Sequence, residues 1–354
     1  MENRKLKIGI LASNVIRIPP SPPEKYVPGG WSGAPELMVS MITEGLVSQG
    51  HDVTLFASGD SQTGARLVSV TEEASYNAKR LKRHEVYEYM LIAEAYRTAV
   101  RGNFDILHSH LDMKAAHFAA FFNIPTVVTI HDPITGTRKE ILSHYKKDQF
   151  YVSISDKQRE SLPDLNWAGT VHHGLEIEKI PFSKEKDDYL IFFGRISRIK
   201  GTADAIKIAK KSGHRLLIFG SPSEADYWKN DIEPLIDGQQ IIFRGMVGRE
   251  DLFEYVKKAK AFLFPLQVEE AFGLAAVESM ACGTPVIAYK KGSLPEIIDE
   301  KTGFLVDSEE EIISAINKID MIDPNECRKR AAEKFSIGAM IDGYEKIYYK
   351  ILKK

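Results

Sequence analysis

The chain alternates short, almost continuous apolar runs with longer stretches in which apolar positions recur every three or four residues. "LKIGILA", "DVTLFA", "FDILHSH" and "PTVVTIHD" have the first pattern, that of strands covered on both faces, and "FYVSIS" and "TVHHG" complete a first series. Between them, "APELMVSMITEGLVSQ" carries helical periodicity and stops at Gly50, a residue suited to a helix C-terminus. "NAKRLKRHEVYEYMLIAEAYRTAVR" and "MKAAHFAAFF" predict two more helices. Leu175 to Asp188 is charged, weakly periodic and contains Pro181, so it reads as a linker. After it the alternation restarts with "YLIFFG", "RLLIFG", "QIIFRG", "AFLFP" and "PVIAY", and "FSIGAMIDGYEKIYYKILKK" predicts a long terminal helix.

Alternating strands and helices predict parallel sheets with helices on their faces. A chain of 354 residues exceeds what one core serves, so two domains are expected. The reading is therefore α/β with two doubly wound, Rossmann-like domains, residues 1–180 and 181–354, the C-terminal helix (about 336–354) being free to pack back on the first. Open α/β sheets bind ligands beyond the carboxyl ends of their strands, so two such domains are expected to face a central cleft.

Composition narrows the classes. Lys+Arg 47 against Asp+Glu 49 gives a formal charge of −2, which argues against nucleic acid as the main partner. Two cysteines, Cys282 and Cys327, with no C-x-x-C pair, argue against a disulfide scaffold or structural zinc and fit the cytoplasm. "MENRKLKIGILASN" has too brief an apolar run for a signal peptide or a membrane span. The Lys residues of the terminal helix leave peripheral membrane contact open without indicating it.

Chemistry enters at "VEEAFGLAAVESMACGTPVIA", where carboxylates interrupt a core-like segment. Gln267–Phe272 reads as a strand-to-helix loop, and Gly273 to Ala281 as a helix. Glu270 then precedes a helix N-terminus, and Glu278 lies about two turns on, displaced by only roughly 80° around the axis. Free N–H groups at the helix start suit phosphate, and carboxylates suit hydroxyls. A sugar nucleotide combines the two. In "FFGRISRIKG", Arg195 and Lys200 follow a strand and suit a diphosphate. Glu269 reads as a solvated neighbour. His108 and His110 share a strand face without a convincing third metal ligand, and His172 and His173 read as pointing to opposite faces.

Together these segments resemble the retaining glycosyltransferases of family 4, which have the GT-B fold. Glu-(seven residues)-Glu at Glu270 and Glu278 is the most specific likeness. "GRISRIKG", "GSLPEII" and "TGFLV" add to it in the second half, and "GLVSQGHDVTLFA", "FDILHSH" and "VVTIHD" in the first. The resemblance implies that Glu270 holds donor-sugar hydroxyls and Glu278 the ribose. It implies that Arg195 and Lys200 neutralise the leaving diphosphate, with backbone N–H groups of Phe272, Gly273 and Leu274. His131 would line the sugar site, Met246 would meet the base through its backbone, and Gly29 and Gly30 would approach phosphate or acceptor. The first loop, "YVPGGWSGAPEL", is longer than the family's compact form, which leaves open which glycine acts.

No Asp-x-Asp triplet, G-x-G-x-x-G, Walker-type, G-x-S-x-G or H-E-x-x-H motif occurs. The expectation is a retaining transferase that needs no metal or other cofactor, with a nucleoside-diphosphate sugar as donor and an unidentified hydroxyl acceptor. Alternatives are a sugar-nucleotide epimerase or phosphorylase on the same fold, or a non-catalytic nucleotide-sugar binding protein.

Overall fold

The computed structural model describes residues 4–20, 33–76, 78 and 83–353. Described residues as far as Gly174, joined by those after Ser336, form one compact unit, and Leu175–Ser336 form a second.

The first unit holds seven parallel strands: β1 (Lys7–Leu11), β2 (Asp52–Phe56), β3 (Arg66–Val68), β4 (Ile106–Ser109), β5 (Thr126–Ile130), β6 (Phe150–Ser153) and β7 (Trp167–Thr170). Their order is β3-β2-β1-β4-β5-β6-β7, which reverses direction at β1/β4, where doubly wound sheets bind ligands. Strands β1, β2, β4 and β5 are buried along nearly their whole length, as strands covered on both faces are. Two elements depart from the sequence pattern. The last strand ends at Thr170, so Val171–Gly174 lies beyond the sheet, and the long helix runs His84–Thr98 before a π turn closed at Gly102 (φ 75°).

The terminal stretch is two helices, Pro324–Phe335 and Ile337–Leu352, parted at Ser336. Only the second belongs to the first unit. Met340, Ile341, Tyr344, Ile347, Tyr348 and Ile351 recur at helical spacing and are buried with Ile8, Ile10, Val39, Ile42 and Val127. The last helix is thus part of the core that the first strand opens.

The second unit holds β8 (Tyr189–Phe193), β9 (Arg215–Phe219), β10 (Ile241–Gly245), β11 (Ala261–Phe264), β12 (Val286–Tyr289) and β13 (Gly303–Val306). All pair in parallel in the order β10-β9-β8-β11-β12-β13, reversing at β8/β11. Both units are therefore doubly wound α/β sheets. Among the described residues no helix is long and apolar enough to cross a membrane.

Candidate functional site

At the switch point of the second sheet, the loop after β8 meets the loop after β11. Gly194 follows β8 directly, and a 3-10 turn, Arg198–Lys200, carries Lys200. The amide of Gln267 donates to the Ile199 carbonyl at 2.9 Å, which joins the two loops. Gly201 makes that approach possible: at φ 72°, a Cβ there would lie 1.9 Å from the Pro265 carbonyl oxygen.

Lys200 Nζ donates to Glu270 Oε2 at 2.5 Å, each side chain 19% exposed. The Glu270 loop is gripped from its far side by the loop after β12. Ser293 N donates to the Glu270 carbonyl at 3.0 Å, and Ser293 Oγ donates to the Phe272 carbonyl at 2.7 Å. Glu269 Oε2 accepts from Gly292 N at 2.5 Å. This residue is exposed, yet it ties two loops together and is more than a solvated neighbour. A Cβ on Gly292 would lie 2.3 Å from the Glu270 backbone, so a glycine is required there too.

Gly273 (φ 91°) precedes the helix Leu274–Ala281, whose N-terminus has no side-chain cap. An N-terminus of that kind keeps N–H groups and positive dipole for an incoming anion. Phe272 is buried, its ring 5.9 Å from that of Phe335. Farther along the helix, Glu278 is 15% exposed, and Arg249 Nη2 donates to its Oε1 at 2.7 Å. Burial raises the Glu278 carboxyl above the usual range, and the Arg249 guanidinium works against that rise. Arg249, first residue of the helix Arg249–Val256, also keeps a buried Nε without a partner among the described residues.

Arg195 is exposed and makes no hydrogen bond or ion pair among the described residues, so its guanidinium is available to a ligand. Met246 follows β10 directly and is 46% exposed. The second unit thus brings Lys200, Glu270, Phe272, Gly273 and Leu274 to one switch point, with Glu278 along the same helix. Gly29 and Gly30 lie outside the described residues.

His131 belongs to the first unit, directly after β5. The Gln158 side-chain amide donates to the carbonyls of Ile130 (3.0 Å) and Asp132 (2.8 Å), clamping the backbone on both sides of it. Its ring is one of four in a row. His110 Nδ1 lies 2.8 Å from His131 Nε2, and His131 Nδ1 lies 3.4 Å from His173 Nε2. His108 sits against His110, ring centroids 4.2 Å apart, and is held by Tyr348 (2.6 Å) and Thr129 (2.8 Å). Burial pulls His131 down to about 4 and His108 to about 3, and drives His110 and His173 well below the ordinary value. The row is neutral near pH 7.

The alternation of His108 on β4 with His110 just beyond it, and of Thr129 on β5 with His131 just beyond it, is visible in the sequence, because every second residue of an extended chain shares a face. Arg249, Glu269 and His173 were missed as members of these arrangements. Their partners lie 29, 23 and 42 residues away, and no local pattern announces them.

Comparison with known proteins bears on the family and the fold. Residues 175–334 match the family model described as Glycosyl transferases group 1, and residues 36–165 match Glycosyltransferase Family 4. The chain is 23% identical to N-acetyl-alpha-D-glucosaminyl L-malate synthase of Bacillus anthracis over 99% of its length and 98% of the relative's. In structure it is similar to sucrose-phosphate synthase of Thermosynechococcus elongatus, with TM-score 0.75, 19% identity, and 98% and 99% of the two chains covered. It is also similar to Anabaena HepE solved with UDP-glucose, with TM-score 0.69, 17% identity, and 98% and 100% covered.

Proposed function

For a GT-B glycosyltransferase whose two units belong to the glycosyl transferases group 1 and glycosyltransferase family 4 families, we propose metal-independent, retaining transfer of a sugar from a nucleoside-diphosphate sugar to a hydroxyl acceptor. The observation that carries this reading is the Lys200–Glu270 pair at the switch point, beside a helix N-terminus that lacks a side-chain cap. It sets a cation, a carboxylate and free backbone donors on adjoining loops, and a sugar joined to a diphosphate asks for all three.

On this reading a bound donor parts the pair. Lys200 and Arg195 turn to the diphosphate, assisted by the N–H groups of Phe272, Gly273 and Leu274, and Glu270 accepts from sugar hydroxyls. Both interactions strengthen as charge moves onto the leaving phosphate and positive charge develops on the sugar ring. Glu278 exchanges its Arg249 bond for the ribose hydroxyls, and the Met246 backbone meets the base. A leaving phosphate that accepts the acceptor's proton on the face it departs from gives retention without a protein nucleophile. Anabaena HepE was solved with UDP-glucose, which makes that compound the first donor to try.

The test is to incubate the full chain with UDP-, GDP- and ADP-sugars, with and without candidate hydroxyl acceptors. Released nucleoside diphosphate and the anomeric configuration of the product are the readouts. Transfer with inversion contradicts the retaining assignment. Binding without turnover for every donor and acceptor favours a nucleotide-sugar binding protein.

A further inference from the structure

Three cations follow β8 in close succession, Arg195, Arg198 and Lys200, and the first and last belong to the site described above. Arg198 and Lys200 are the two ends of one 3-10 turn. With about three residues per turn, side chains two positions apart diverge by roughly 120°. Lys200 reaches Glu270 in the loop after β11, whereas Arg198 reaches the segment between β9 and β10.

Arg198 is fully engaged there. Its Nη2 donates to Asp231 Oδ2 at 2.9 Å, its Nε lies 3.7 Å from Glu224 Oε2, and its guanidinium carbon lies 4.7 Å from the centroid of the Tyr227 ring. The Arg198 backbone N–H donates to Glu224 Oε1 at 3.2 Å. Beyond Lys200, the N–H of Ala203 donates to the Tyr227 hydroxyl at 2.9 Å. Lys200 is thus bracketed by two residues fastened to one segment, residues 224–231. That segment is itself anchored: Tyr227 is buried, and the Trp228 ring packs on Phe243 of β10 with centroids 4.5 Å apart. Two carboxylates beside Arg198 also oppose the approach of a diphosphate to it.

We propose that Arg198 is a positioning residue: clasped by Glu224, Asp231 and Tyr227, it fixes the 3-10 turn and so sets the direction in which Lys200 leaves it. The clasp lies wholly within the second unit. Its effect on nucleotide binding rests on the function proposed above, in which Lys200 meets the diphosphate. Arg198 is 58% exposed, and pairs so exposed add little to global stability. Main-chain bonds between Ile196 and Ser221 and between Gln267 and Ile199 also hold this stretch, so loss of the clasp loosens the turn without unfolding it.

The experiment compares hydrogen exchange over residues 195–203, thermal midpoint and calorimetric UDP affinity in the full chain and its variants. Arg198→Met should speed exchange in that stretch and leave the midpoint nearly unchanged. It should weaken UDP by roughly fivefold, and Arg198→Lys, which keeps a cation for Asp231, should recover most of the loss. In a Lys200→Ala background Arg198→Met should cost nothing further, because the residue acts through Lys200. Glu224→Gln with Asp231→Asn gives the opposite sign for the two roles open to Arg198. A positioning residue deprived of its clasp weakens UDP, whereas a diphosphate cation freed from two carboxylates strengthens it. Unchanged exchange in Arg198→Met, an equal loss of affinity with and without Lys200, or tighter UDP in the Glu224→Gln/Asp231→Asn variant overturns the proposal. Should Arg198→Met fail to fold, the Glu224→Gln/Asp231→Asn variant carries the same comparison. Exchange needs no ligand, so it decides the clasp even if the native chain binds no UDP, a result that counts against the nucleotide reading instead.

Discussion

Lys200 Nζ lies 2.5 Å from Glu270 Oε2, although 70 residues separate them and their backbones belong to different loops. Both side chains are largely buried, and the pair fastens the loop after β8 to the loop after β11. On the proposed function, parting it is tolerable only if the ligand replaces each lost bond, a diphosphate at Lys200 and sugar hydroxyls at Glu270. A ligand with only one of these features leaves a partly buried charge unmatched and binds less well.

That division of labour predicts unequal effects of substitution. Glu270→Gln should lower kcat by roughly ten- to a hundredfold, the equivalent of about 1.5–3 kcal/mol for a charged hydrogen bond at the reacting sugar. Calorimetric titration with UDP should change little. Lys200→Ala should instead weaken UDP by about tenfold or more. If Glu270→Gln turns over normally, Glu270 does not hold the sugar.

Glu278 and Arg249 make a second pair, 2.7 Å apart. Glu278→Gln should weaken the sugar nucleotide and the free nucleoside diphosphate alike, since the ribose is common to both. Arg249→Met should lower the thermal midpoint, because it strands a mostly buried carboxylate at a cost of about 1–3 kcal/mol. Its Glu278 carboxyl, raised already, should rise further, so nucleotide binding should fail at a higher pH on acidification than in the native chain. Titrations between about pH 5 and 8 test this, and an unchanged profile contradicts it.

The histidine row makes the first unit acid-sensitive. His108 and His131 titrate at about 3 and 4 in the fold, and His110 and His173 also lie well below the ordinary value. In the unfolded chain all four titrate near 6.5. Above about pH 6.5 neither state holds extra protons, and stability is complete. As the pH falls towards about 4 the unfolded chain takes up protons that the fold refuses, so stability declines. The urea midpoint should drop between about pH 7 and 5, and the drop should shrink in His108→Gln. A native midpoint that stays level, or rises, over that range contradicts the burial of these rings.

Transfer should survive EDTA. Lys200, Arg195 and a helix N-terminus can supply the positive charge that a metal supplies elsewhere. Initial rates with and without chelator decide it; loss of activity restored by Mn²⁺ or Mg²⁺ overturns metal independence.

The terminal helix should matter to the first unit more than its place at the chain's end suggests. Tyr344 is fully buried, donates to or accepts from Thr129 at 3.0 Å, and packs within the core of the first sheet. Tyr344→Ala should destabilise that unit by about 3–5 kcal/mol. Differential scanning calorimetry should show one transition lowered, with the other near its native position. Two unaffected transitions would mean that the helix only decorates the surface.

The apolar periodicity by itself determined that this is a two-sheet α/β protein, because strand and helix repeats are properties of a few consecutive residues. It also set Glu270 before a helix N-terminus and Lys200 after a strand, since each needs only the local element. The helix Leu274–Ala281 lies where the spacing from Gly273 to Ala281 indicates it. Sheet order is a different matter. β8 and β11 adjoin although two other strands intervene in the chain, and that adjacency alone brings Lys200 to Glu270. The same holds for Arg249 on Glu278, for Glu269 on the Gly292 amide, and for the return of Ile337–Leu352 to the first core. His173 shows the limit most plainly. The sequence places it on a strand, whereas the strand ends at Thr170 and leaves the ring beside His131. Which side chains share a site depends on packing between elements distant in the chain, where burial and hydrogen bonding select among arrangements that local preference leaves equal.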